Sequence, residues 1–247
     1  MFSLNSLGYN KYTPHFNLQA KTNPLTNMRN FNTVAFLFCM LTHLTAQQSD
    51  LGNWLIYFGN KSLPKNWNWH HEIQYRNYDA IGDLEQLLLR TGLGYNLSEN
   101  NNNLLLGYGF IHSQNYVDGQ LDKVKSNEHR IYQQFITRQR FGKFYLQHRY
   151  RIEQRWIEGH DFRLRFRYFL ALNIPLAKAE MGDDTFYFSS YNEIFINHEA
   201  TVFDRNRLYG ALGYQLNPKL RFELGYMNQF MNTENRDQIN LVTFYNF

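Results

Sequence analysis

From about residue 50 to the end of the chain, polar and apolar side chains alternate with a period of two, again and again. A strand places successive side chains on opposite faces, so alternation sustained over a whole chain commits it to β-structure with two unlike faces. The plainest stretch is 144–156. Phe144, Leu146, Tyr150, Ile152 and Trp156 share one face there, and Gln147, Arg149, Arg151, Glu153 and Arg155 share the other. His148 and Gln154 are polar exceptions on the apolar side. In 162–174, Phe162, Leu164, Phe166, Tyr168, Leu170, Leu172 and Ile174 stand opposite Arg163, Arg165 and Arg167. The pattern recurs in 67–76, 87–97, 104–112, 208–216, 220–230 and 239–247, and in mixed form in 128–140 and 186–197. With 51–59 these make eleven candidate strands.

Two architectures accommodate such strands, a soluble sandwich or barrel and a membrane barrel. Segments such as 144–156 are long beside the ~5–6 residues of an ordinary strand, and they suit a tilted membrane span of about 9–11 residues. Tyr, Trp and Phe crowd the apolar faces near strand ends, as in interfacial girdles. Composition agrees: aromatics reach 17% of the chain while the mean hydropathy is −0.56. A greasy outside averaged with a wet inside gives both values, and no apolar run is long enough for a membrane-spanning helix. The polar phase carries Arg76, Arg90, Arg130, Arg149, Arg151, Arg155, Arg163, Arg165, Arg167 and Arg221. Each would cost about 2–4 kcal/mol facing lipid at the midplane, together more than a typical folding stability of about 5–15 kcal/mol. They are therefore expected inside.

The fold expected is all-β: a transmembrane, antiparallel, up-and-down barrel of 10–12 strands. Single-chain bacterial barrels have even strand numbers, so 51–59 is either accessory, leaving ten, or one strand has been overlooked, giving the preferred twelve. Short polar breaks at 98–103, 141–143 and 217–218 alternate with longer loops at 114–126, 198–205 and 231–237, as periplasmic turns and outer loops do. The 175–183 connection is long for the turn side. Pro64, Pro175 and Pro218 all map to that side, where a missing N–H costs nothing.

Before the strands, Met28-Arg29-Asn30, the apolar core Val34–Leu41 and Leu44-Thr45-Ala46 have the layout of a secretory signal peptide cleaved after Ala46. Residues 1–27 read as an upstream extension, 28–46 as the signal peptide and 47–247 as the barrel. Of the 25 basic residues, Lys11, Lys21 and Arg29 precede residue 47, where there is no acid, so 22 remain against 21 acids. The net charge of +4 thus gives no case for nucleic acid. Cys39, the single cysteine, falls in the leader, leaving no disulfide or thiol chemistry. The last strand, with Ile239, Leu241, Tyr245 and the final Phe247 on one face, resembles the C-terminal assembly signal of outer-membrane barrels. The expected location is the bacterial outer membrane; the expected partners are its lipids and the barrel-assembly machinery.

Glu72, Glu128, Glu153, Glu193 and Glu223 share the inner phase with the arginines. Long side chains can fill much of a narrow barrel, and buried ions must be paired. Mutual pairing would close the lumen with a salt-bridge network. A surplus of arginines would instead hold an anionic ligand or lipid headgroup, or line a small anion-preferring pore. A lipid- or peptide-acting hydrolase is a further alternative, because His112-Ser113 invites a base–nucleophile comparison. Adjacent strand residues point to opposite faces, however, so that pair diverges. His70 and Glu72 share a face, and His198-Glu199 and Asp183-Asp184 lie in connections, but none has metal-ligand spacing. No catalytic residue, cofactor or metal is expected.

Trp54, the Pro64–Trp67 turn, Gln74-Tyr75-Arg76, Gly92-Leu93-Gly94-Tyr95, Gly107-Tyr108-Gly109, Glu128-His129-Arg130 and the arginine-rich stretch 149–167 carry a resemblance. Over its whole mature length the chain resembles a family of small, uncharacterised outer-membrane proteins catalogued as a domain of unknown function. The resemblance implies a barrel and supplies no catalytic residues.

Overall fold

The computed structural model describes residues 51–79, 82–98, 101–117, 122–199, 201–232 and 235–247. The expected leader and the extension before it lie outside the described residues. Eleven strands follow one another: β1 (Leu51–Ser62), β2 (Trp67–Asn77), β3 (Leu84–Asn96), β4 (Asn102–Asn115), β5 (Val124–Phe141), β6 (Phe144–Ile157), β7 (Arg163–Pro175), β8 (Thr185–Asn197), β9 (Phe203–Gln215), β10 (Leu220–Met231) and β11 (Asn235–Asn246). Each pairs with its sequence neighbours, and β1 closes on β11 to complete a barrel. The all-β barrel of 10–12 strands is thus what forms.

The parity is where expectation and structure part. An even number follows only if every pair is antiparallel. Here β1 and β11 run parallel, in register from Leu51↔Asp237 to Asn60↔Asn246, and a single parallel seam lets an odd number close. The strand 51–59 is therefore part of the wall, and no twelfth strand occurs among the described residues.

One end of the barrel, the turn end, carries the connections 63–66, 97–101, 142–143, 176–184 and 216–219; the opposite, loop end carries 78–83, 116–123, 158–162, 198–202 and 232–234. The Pro64–Trp67 turn is closed by Trp67 N–H donating to the Pro64 carbonyl at 3.5 Å. Its central residues Lys65 and Asn66 have φ of 59° and 63°, the backbone of a type I′ hairpin turn, whose twist matches the strands. Gly142, with φ 58°, supplies the same left-handed step between β5 and β6. The loops expected at 114–126, 198–205 and 231–237 are shorter than anticipated. Strand pairing continues through their polar residues, as at Asn115↔Val124, because backbone pairing does not require an apolar face.

The alternation resolves into a wall with an apolar outside. Leu55, Ile73, Leu93, Leu104, Leu106, Leu208, Leu212, Leu224 and Leu241 are all exposed. Inside, glycines make room for tyrosine rings. Gly107 faces Tyr132 directly across β4–β5, and Gly213 faces Tyr187 across β8–β9. A Cβ on either glycine would fall 2.2 Å from the facing tyrosine's Cζ. The rings lie flat over the bare backbone, an arrangement that pins register in curved sheets.

Candidate functional site

The interior is charged, and its ionic pattern begins with strand phase. Seven arginines (Arg76, Arg90, Arg130, Arg151, Arg165, Arg167 and Arg207) and five glutamates (Glu72, Glu128, Glu153, Glu193 and Glu223) are buried. Glu153 on β6 has no exposed surface. Its Oε2 accepts from Arg165 Nη2 at 2.6 Å and Nε at 3.0 Å, and its Oε1 from Arg167 Nη1 at 2.6 Å and Arg151 Nη1 at 3.5 Å. Arg130 and Arg90 approach to 3.9 and 4.0 Å. Arg90 belongs to β3, so this cluster reaches across the interior rather than running along one stretch of wall.

Three further carboxylates extend the cluster. Glu193 Oε1 accepts from Arg149 Nη2 at 2.7 Å and from Arg167 Nη2 at 2.7 Å. Glu128 is held by two arginines, Arg130 through Nε at 2.5 Å and Nη2 at 2.7 Å, and Arg155 through Nε at 2.6 Å and Nη2 at 3.1 Å. Glu72 takes Arg90 Nη1 at 2.8 Å, with His70 Nε2 at 3.7 Å. Aromatic faces share the load: Arg151 lies 4.5 Å from the centre of the Tyr132 ring, and Arg167 4.4 Å from that of Phe195. Such charge-assisted, forked bonds are strong and directional.

Three of the sequence-picked residues stand apart. Arg163 sits at the loop end, partly exposed, with Glu199 at 3.3 Å. Arg221 lies near the turn end, 4.0 Å from the Phe244 ring, with no ion pair among the described residues. Glu223 takes the hydroxyls of Tyr187 and Tyr209 at 2.9 and 3.1 Å in place of an arginine. The terminal set Ile239, Leu241 and Tyr245 lies on the outward phase of β11. Phe247 donates its N–H to the Asn60 carbonyl at 3.0 Å and packs against His71.

Sequence reading missed Arg207, because it started that strand at residue 208. Extending the phase of Tyr209 and Ala211 backward by one pair would have found it. It also missed an amide and a carboxylate. Gln134 Oε1 accepts from Arg151 Nε at 2.9 Å, and Asp204 Oδ2 from Arg165 Nη1 at 3.0 Å. His112 and Ser113 diverge: His112 Nδ1 is 2.9 Å from Asn127 Oδ1, whereas Ser113 Oγ accepts from Gln86 Nε2 at 2.8 Å. Among the described residues no three metal-ligating side chains converge. A recess of about 770 Å³ lies on the outer wall, lined mainly by apolar groups such as Leu93, Leu104, Leu106, Phe135 and Phe166.

Fold and interior together define a closed β-barrel filled by an arginine–glutamate network. A family model described as "Protein of unknown function (DUF2490)" matches residues 51–240, and the chain belongs to that family. It is similar to an uncharacterized protein of Methylorubrum extorquens, 30% identical over 171 residues that cover 66% of this chain and 71% of the relative. No solved structure matches.

Proposed function

We propose that the protein is an integral outer-membrane barrel whose lumen is shut by its own charged side chains, with a structural or binding role rather than transport or catalysis. The observation that carries this reading is the Glu153 cluster, in which arginines from β3, β5, β6 and β7 meet one buried carboxylate across the interior. An ion crossing the barrel would have to part charges that are desolvated and mutually bonded, whose separation costs about 3–5 kcal/mol per broken pair. The outward leucines support a membrane setting, because soluble monomers rarely expose contiguous apolar patches above a few hundred Å². In such a setting outer-membrane lipids would contact that wall, and the outward residues of β11 with Phe247 would engage the assembly machinery. Divergence of His112 and Ser113 removes the candidate hydrolase pair.

Purified protein in planar bilayers is expected to conduct poorly or not at all. Large, steady single-channel currents would replace this reading with that of a small anion-preferring pore. The mature protein is expected to fractionate with outer membranes and to show heat-modifiable migration on gels; recovery as a soluble periplasmic protein would remove the membrane assignment.

A further inference from the structure

One sector of the interior differs in what its arginines face. Arg76 on β2 and Arg207 on β9 are buried, yet neither has a carboxylate oxygen at hydrogen-bonding distance. Arg76 gives Nε to Gln74 Oε1 at 3.0 Å and Nη1 to Gln86 Oε1 at 2.7 Å. Arg207 gives Nε to Gln229 Oε1 at 2.9 Å, and its Nη1 remains 3.9 Å from Glu193. Both guanidinium carbons lie against one indole, 3.7 and 4.9 Å from the centre of the Trp54 ring.

Polar atoms are left over around the same ring. Trp54 Nε1, Gln238 Nε2 and Oε1, and Asn240 Oδ1 are buried without a hydrogen-bond partner among the described residues. Trp54 is in register with Arg76 on one side and Asn240 on the other, and Gln238 faces Gly52. These groups therefore occupy one patch of wall, close to the loop end where β1 and β11 begin. A buried cation that bonds no carboxylate directly is costly, and so is a buried donor or acceptor without a partner. One occupant satisfies both demands.

We propose that this patch binds a phosphate oxyanion, as free phosphate or as a phosphate monoester. Two guanidinium groups supply the charge and the geometry suited to phosphate, and the Trp54 and Gln238 N–H groups add neutral donors. The unpartnered acceptors Gln238 Oε1 and Asn240 Oδ1 favour an oxyanion bound with one protonated oxygen, which hydrogen phosphate or a singly ionised phosphate monoester has and sulfate or an ionised carboxylate lacks. The Glu153 side of the interior offers no such site, because its arginines are already bonded to the protein's own carboxylates. The proposal requires the fold but not a closed lumen.

The test is calorimetric titration of the full mature protein in a phosphate-free, zwitterion-free detergent, with inorganic phosphate, sulfate and chloride at matched ionic strength, and separately with short-chain phosphatidic acid. Saturable binding of inorganic phosphate assigns a free anion; binding of phosphatidic acid alone assigns a lipid headgroup; both uphold the site. Arg207→Gln is expected to weaken binding about tenfold or more. Trp54→Phe, which keeps an aromatic face for the guanidinium groups but deletes the indole N–H, should weaken it severalfold while the protein still forms the heat-resistant barrel. No binding of either phosphate source by the unaltered protein, or an equal response to sulfate, overturns the proposal. Conductance separates the two readings: a conducting barrel that binds phosphate loses the closed lumen and keeps the site, and a silent barrel that ignores phosphate loses only the site.

Discussion

The two sides of the barrel interior solve the same problem with different chemistry. Around β5 to β8, buried and part-buried arginines meet Glu128, Glu153 and Glu193 through bonds of 2.5 to 3.5 Å. Around β1, β2 and β9 to β11, Arg76 and Arg207 meet glutamine oxygens and the face of Trp54, beside the unpartnered Gln238 and Asn240. The first side bonds its arginines directly to carboxylates and is mechanically committed; the second holds guanidinium groups that bond no carboxylate directly, beside indole and amide groups left without a partner. A chain can thus put identical residue types on one barrel phase and obtain a strut on one side and an open valence on the other. The difference lies in where the carboxylates fall.

The largest effect should come from Glu153→Gln, which deprives Arg165 and Arg167 of a shared carboxylate and leaves several cations packed together. A loss of about 3–5 kcal/mol is expected, read as a lower urea or thermal midpoint in micelles or as failure to form the heat-resistant barrel. A loss no larger than that of an exposed pair would erase the contrast between the two sides. Next come the glycine seats. Gly107→Ala drives a methyl into Tyr132, the ring beneath Arg151, and Gly225→Ala drives one to 2.4 Å from Tyr209 Cε2. Each should cost about 1–3 kcal/mol. Gly210→Ala, whose Cβ would meet nothing within 4 Å, should stay within about 0.5 kcal/mol. Equal midpoints for all three variants would show that the tyrosines do not depend on bare backbone.

The third prediction has the opposite sign. Gln238 is wholly buried with both amide atoms unpartnered. Gln238→Met keeps the shape, discards the unmet polarity and should raise the stability of the phosphate-free protein by about 1 kcal/mol, read as a higher midpoint; the same exchange at Gln134, which holds Arg151, should lower it. Two falls would mean that the unpaired side is as fully bonded as the paired one. Smallest is Glu180→Ala, outside both sides. Its partner Arg140 lies 2.7 Å away, but both groups are largely exposed, so the change should stay below about 0.5 kcal/mol. A larger loss would show that the turn end, too, helps to hold the barrel.

How much of this was legible beforehand depended on distance along the chain. Inward placement of Arg149, Arg151, Glu153, Arg165 and Arg167 is readable from alternation alone, since a strand's phase is a local property. Partner choice is not. That Glu153 would gather Arg90 from β3, while Glu223 would take two tyrosines, depends on barrel closure and stagger, which no short stretch encodes. Trp54 is apolar by type, and nothing local marks it as a seat for cations; its place between Arg76 and Arg207 needs β1 to be a wall strand. Only the preference for an even number of strands missed, and for the same reason: the hydrogen-bonding direction of the seam is set between residues 51–60 and 237–246, far apart in sequence.

That seam also gives the barrel a polarity of access. In an up-and-down barrel of even number both strand termini emerge from one rim; here Leu51 opens β1 at the loop end, and β11 runs out to Phe247 at the turn end. Across a membrane, the two would report from different compartments. A short epitope placed just before Leu51 and another placed after Phe247 would answer to antibodies on opposite faces.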